Sequence, residues 1–83
     1  MDPVLDLHTF APREIADLVD HYLTECRAAG LREVRIIHGK GTGTLRRVVH
    51  GICGRHAAVA TFALAPDFLG GWGATVVTLK PPD

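Results

Sequence analysis

No apolar run in this chain approaches the ~20 residues that a bilayer-spanning helix requires, which argues against a transmembrane segment of that kind. Met1-Asp2-Pro3 lacks the basic-then-apolar order of a secretory signal, so the expected location is the cytoplasm. Cysteine is scarce, with two in 83 residues. Cys26 and Cys53 lie far apart, form no C-x-x-C, and fall at apolar positions of predicted helices. They read as reduced core side chains rather than as a disulfide or metal ligands. Net charge is absent too: nine basic and nine acidic residues cancel. Composition alone therefore does not point to a polyanionic partner. The spacings G-x-x-x-x-G-K-[ST] and G-x-G-x-x-G are both missing, so neither a Walker A loop nor a dinucleotide fingerprint is present. There is no linker, repeat or low-complexity stretch.

What remains is an ordinary globular composition, 47% hydrophobic over 83 residues. That favours one folded domain, expected over 1–83 with its core at about 4–80, built around a modest hydrophobic centre. So small a core leaves stability marginal, and a homodimer or a partner protein would be an unsurprising supplement. Charge is unevenly spread. Residues 1–30 carry Asp2, Asp6, Glu14, Asp17, Asp20 and Glu25 against Arg13 and Arg27. Residues 31–56 carry Arg32, Arg35, Lys40, Arg46, Arg47 and Arg55 against Glu33 alone. A basic middle can steer an anion locally, although charge by itself better fits a solvated helix face.

The periodicity gives the order β-α-β-α-β-β. Leu5-Asp6-Leu7-His8 alternates like a short strand, with Leu5 and Leu7 on one face and Asp6 and His8 on the other. Pro12 suits a first helical turn. Ile15, Leu18, Val19, Tyr22, Leu23 and Cys26 then form one apolar stripe, and Gly30 ends the helix. Val34 to Ile37 is a second strand. A second helix carries Leu45, Val48, Val49, Ile52 and Cys53 at helical spacing, weakened by Gly51 and ended near Gly54. Ala58 to Leu64 and Ala74 to Leu79 are the last strands, separated by a Pro66–Gly73 loop. The strand-helix-strand start predicts parallel pairing with a right-handed crossover. The last two strands can pair antiparallel or lie apart. The expected fold is a two-layer α/β domain, a four-stranded mixed sheet with two helices on one face and the other face partly open.

The chemistry-bearing residues gather at strand ends. His38-Gly39-Lys40-Gly41-Thr42-Gly43 joins a strand to a helix. Its glycines permit positive φ and close approach to a ligand. The helix start that follows offers unpaired N–H groups and partial positive charge, a natural phosphate site, with Lys40 adding a point charge and Thr42 or Thr44 a hydroxyl. The alternative is a turn whose glycines serve geometry alone. His8 and His38 end the first two strands, and ligands of open α/β sheets bind at such ends. Asp6 is placed to orient His8, raise its pKa, or join it in holding a divalent ion such as Mg²⁺. Against that stands an ordinary surface histidine beside a turn-capping aspartate. His21 and His50 read as exposed helix positions, and His56 lacks the strand-end setting. Trp72, in Gly70-Gly71-Trp72-Gly73, can stack on a base or cover the core edge, and the core role is preferred. Phe10 and Phe68 read as packing residues, and Tyr22 as core.

Three segments together resemble the Smr (small MutS-related) domain family. They are Leu5-Asp6-Leu7-His8, Ile37-His38-Gly39-Lys40-Gly41-Thr42-Gly43 with Leu45-Arg46, and Gly70-Gly71-Trp72-Gly73-Ala74-Thr75 leading into Val76-Val77-Thr78-Leu79. They occur in family order over about residues 4 to 80, the pattern of a stand-alone short member. The resemblance implies a β-α-β-α-β-β fold similar to the C-terminal domain of translation initiation factor 3. It implies binding of DNA or RNA, and endonuclease or nicking activity linked to DNA repair or recombination. It assigns catalysis or nucleic-acid contact to Asp6 and His8 and to His38, Gly39, Lys40 and Gly41. The nuclease expectation built on it puts catalysis on Asp6 and His8 with His38 assisting, and phosphate contact on Gly39, Lys40, Gly41, Thr42 and Gly43, with Arg46 and Arg47 on the flanking backbone. Two positions depart from the pattern: Thr9 stands where many members have glycine, and Ala11 where a Ser or Thr usually caps the helix. The competing expectations are a nuclease, a non-catalytic nucleic-acid module acting with a partner, and a protein-interaction domain.

Overall fold

The second strand shows the logic of the whole sheet. Val34 and Ile36 are buried while Glu33, Arg35 and Ile37 between them are not, so one face of the strand seeks cover. The computed structural model describes residues 1–83 and supplies that cover with two helices. In chain order the elements are β1 (Val4–Asp6), α1 (Pro12–Ala28), β2 (Glu33–Ile37), α2 (Thr44–Cys53), β3 (Val59–Leu64) and β4 (Ala74–Leu79). Two 3₁₀ turns, Asp67–Leu69 and Gly71–Gly73, occupy the segment expected as a plain loop.

The strands form one sheet in the order β1-β2-β4-β3. β1 and β2 are parallel, with Val4, Leu5 and Asp6 opposite Arg35, Ile36 and Ile37. β4 inserts antiparallel beside β2, with Ile36 opposite Thr75. β3 pairs antiparallel with β4 at the other edge, with a register shift between Val59 and Thr61. The choice left open for the last two strands is thus resolved as direct pairing.

α1 begins at Pro12, whose missing N–H costs nothing there. Its N-cap is Ala11, which makes no side-chain capping bond. Gly30 closes the helix with φ +85°, letting Leu31 N–H reach the Cys26 carbonyl at 3.0 Å. Ile15, Val19, Leu23 and Cys26 from α1 meet Val49, Ile52 and Cys53 from α2 over Leu7, Val34, Ile36, Val77 and Leu79. Each fully buried large aliphatic side chain there contributes roughly 1.5–3 kcal/mol. Both cysteines are free and buried, and burial pushes the Cys53 thiol up to about 11. No helix is long and apolar enough to cross a membrane.

The opposite sheet face stays partly open, with Val4, Ile37, Val76 and Thr78 half-buried. The Asp67–Leu69 turn reaches toward it, and Arg35 Nη1 donates to the Leu69 carbonyl at 3.1 Å. Three aromatic expectations are corrected here. Phe10, Phe68 and Trp72 all lie on the surface, Phe68 being 84% and Trp72 69% exposed. The aliphatic stripes of the two helices already fill the single buried layer, so the core takes no aromatic ring beyond the partly buried Tyr22 and Phe62.

Candidate nucleic-acid interface

β1 ends at Asp6, and the chain turns at once. Asp6 Oδ1 accepts the His8 backbone N–H at 3.1 Å and faces His8 Nδ1 at 2.6 Å. A carboxylate only accepts, so Nδ1 carries a proton, and in the neutral ring Nε2 keeps a free lone pair. The two hydrogen bonds from His8, side chain before backbone, hold the Asp6 carboxyl below its ordinary value. The His8 side chain is 75% exposed, so its free nitrogen is open to solvent.

The neighbouring strand end carries the glycine loop. Leu7 N–H donates to the Ile37 carbonyl at 2.9 Å, which fastens the tips of β1 and β2 side by side. The loop lies at the surface: Gly39, Lys40, Gly41 and Thr42 are exposed. Gly39 and Gly43 adopt φ +82° and +85°, which side-chain-bearing residues rarely adopt. Gly43 is the N-cap of α2, whose first turn holds no acidic residue to occupy its free N–H groups. Thr42 Oγ1 lies 2.8 Å from Thr44 Oγ1. Arg46 curls back over the helix start, its Nη2 only 2.6 Å from where a Gly43 Cβ would stand. Arg47 is exposed on the same helix. Lys40, Arg46 and Arg47 enter none of the four ion pairs of the molecule, so these cations are uncommitted.

His38 does not join Asp6 and His8 as the strand-end reading expected. Its backbone is next to theirs, but its ring turns into the helical layer and is buried. There His38 Nδ1 donates to the Gly39 carbonyl at 3.1 Å, and Nε2 lies 2.8 Å from Thr75 Oγ1. His50 Nε2 lies 2.8 Å from the same hydroxyl. Donor counting orders this chain. With its proton on Nδ1, neutral His38 must accept at Nε2. Thr75 therefore donates to His38, and His50 donates to Thr75. His50, expected as an exposed helix residue, is instead half-buried, edge-on to His38 and 5.1 Å from the Phe62 ring. Helical periodicity could not reveal this, because the partner threonine lies on a strand 25 residues away. Desolvation lowers the pKa of both rings first, and the Arg46 cation adds to it. His56 is likewise structural, bridging the Asp20 carbonyl and the Ala58 N–H.

The third motif locks onto the loop. The Gly73 carbonyl accepts both His38 N–H and Gly39 N–H at 2.9 Å. A Cβ on Gly73 would stand in ordinary contact with Lys40 Cγ at 3.4 Å, so this position lies directly against the loop. No three His, Cys, Asp or Glu side chains gather as a ready metal cluster; at the tip of β1 Asp6 and His8 form a pair.

The fold and these strand-tip groups define an open-sheet, two-layer α/β domain with an exposed acid–imidazole pair beside a cationic glycine loop. The Smr domain family matches residues 5–80, and the chain belongs to that family. It is 41% identical over 80 residues to "Endonuclease MutS2" of Thermomicrobium roseum, covering 96% of this chain and 10% of that protein. It is 44% identical over 77 residues to the Thermus thermophilus protein of the same name, covering 93% of this chain and 10% of that one. The chain therefore spans about a tenth of these relatives. Among solved structures, the Smr domain of Thermus thermophilus MutS2 superposes with TM-score 0.88 at 44% identity, covering 94% of this chain and 98% of that one. YdaL, a stand-alone small MutS-related protein from Escherichia coli, gives TM-score 0.79 at 28% identity, covering 94% of this chain and 64% of that one.

Proposed function

We propose that this domain binds DNA or RNA through its glycine loop and hydrolyses a phosphodiester at the Asp6–His8 pair. The single observation that carries the reading is the 2.6 Å contact between Asp6 Oδ1 and His8 Nδ1 at an exposed strand tip fastened to the loop strand. Asp6 fixes the ring tautomer and stabilises the imidazolium. His8 Nε2 takes a proton from attacking water and can return it to the leaving oxygen. The Gly39–Gly43 backbone, the start of α2 and Lys40 hold the phosphate, and Arg46 and Arg47 meet its neighbours. His38 acts from behind the loop, orienting the Gly39 carbonyl rather than touching substrate. Relatives named as endonucleases, sharing 41% and 44% identity with this chain, support a cleaving rather than a purely binding role.

The test is one panel of labelled single-stranded, duplex and branched DNA together with RNA, each with Mg²⁺ or EDTA. The reading expects new product ends with wild type and none with Asp6→Ala. Binding without product from any substrate would leave the non-catalytic module in its place. If neither binding nor product appears at low salt, both readings fall.

A further inference from the structure

The Gly70-Gly71-Trp72-Gly73 turn has no part in the chemistry above, yet it presents the chain's only tryptophan to solvent, 69% exposed. Tryptophan is highly buried on average. The backbone beneath this one is firmly held. Gly71 N–H donates to the Pro66 carbonyl and Gly73 N–H to the Gly70 carbonyl, both at 3.0 Å. Gly73 in turn receives the two loop N–H groups at its carbonyl. The indole is thus an uncovered plate on a held backbone beside the phosphate loop.

Trp72 and Lys40 line the same open cleft of about 540 Å³, together with Asp67, Gly70 and Gly71. The two glycines leave its floor without side chains, and a Cβ on Gly71 would stand 3.3 Å from Asp67 Oδ1. The cleft is therefore open, aromatic at Trp72, cationic at Lys40 and anionic at Asp67. Asp67 repels a second phosphate, and as a pure acceptor it suits the amino and imino N–H groups of a base edge. One ligand satisfies all three walls: a planar base with a phosphate attached.

We propose that the Trp72–Lys40 cleft is a subsite for one unpaired nucleobase of the bound strand, next to the phosphate held by the glycine loop. This rests on the nucleic-acid reading above and narrows its substrate class. A paired base has both faces covered by its neighbours, whereas an unpaired one can lay a face on the indole. The domain accordingly selects single-stranded or locally unpaired nucleic acid over continuous duplex.

The lone tryptophan makes the test direct. Emission of Trp72 is followed while a single-stranded oligonucleotide is added, and binding is measured in parallel by anisotropy of a labelled copy. Quenching is expected over the same concentration range as the anisotropy rise. A duplex of equal length is expected to quench little. Trp72→Ala is expected to weaken single-strand affinity by about 5- to 150-fold, with Trp72→Phe retaining most of it and both variants melting like wild type. Anisotropy that rises with emission unchanged, equal quenching by duplex, or unaltered affinity in Trp72→Ala overturns the subsite and leaves the wider reading intact. No anisotropy change with any nucleic acid overturns both.

Discussion

Asp6 and His8 meet through one oxygen: Oδ1 of the aspartate takes both the ring Nδ1 and the backbone N–H of the histidine two residues on. The geometry needs nothing from the rest of the protein beyond the end of β1, because the side chain and the turn it stabilises come from the same short segment. Asp6→Asn replaces an acceptor by an amide that can present its N–H to the ring and favour the wrong tautomer. Cleavage of the best substrate in the panel is expected to fall by about 10²–10⁴-fold, with unchanged melting because both residues are exposed. Wild-type cleavage rates in this variant would remove His8 from the chemistry.

Lys40 is exposed and free of ion pairs, so its removal tests the loop without disturbing the fold. Lys40→Ala should weaken binding across sequences alike and reduce the slope of log affinity against log salt by about 1. Titrations at several salt concentrations measure this. A slope identical to wild type would place the phosphate contact elsewhere.

Thr75 is fully buried and serves two imidazoles with one hydroxyl. Thr75→Val keeps the shape but strands an acceptor on His38 and a donor on His50. Urea unfolding is expected to show a loss of about 1–3 kcal/mol, and Thr75→Ser a smaller one. Nitrogen NMR of the imidazoles supplies the independent readout. Wild-type His38 should carry its proton on Nδ1, and the valine variant should keep it there, held by the Gly39 carbonyl, while the Nε2 resonance shifts as it loses the Thr75 hydroxyl. An Nε2-protonated His38 in wild type would reverse the direction of donation through Thr75 and refute the chain of bonds from His50 to His38.

Stability should also fall with acid in a defined window. His38 and His50 have folded pKa values below the ordinary one, through burial first; His38 then lowers His50, and Arg46 lowers both. Below about pH 6.5 the unfolded chain therefore binds more protons than the folded one, and stability drops until the folded rings titrate as well. Their full contribution is present above that pH. Urea midpoints are expected to decline between about pH 7.5 and about pH 5.5, less steeply in His50→Gln, which keeps a donor for Thr75 but does not titrate. A flat profile over that range would contradict the buried-imidazole account.

Much of the architecture was legible because it is local. The stripe from Ile15 to Cys26, the Gly30 stop and the alternation around Val34 each follow from one segment's periodicity, and the structure reproduces them. The Asp6–His8 pair was equally readable, being two residues apart. The inward turn of His38 was not. In parallel pairing its face follows from Ile36, two residues earlier, but its partner Thr75 is brought alongside only by the insertion of β4 between β2 and β3. His50 was hidden for the same reason. The exposure of Trp72 runs against its expected core role because a sequence gives no count of how many aliphatic side chains already fill a layer.

The carbonyl of Gly73 has a further consequence. Because two loop amides share it, the backbone segments bearing Lys40 and Trp72 are tied directly to each other. A ligand spanning both then has to order the two side chains but not the backbone that carries them, and the spacing of their attachment points is set in advance. The domain would gauge its ligand like a fixed caliper, with no jaw that closes around it.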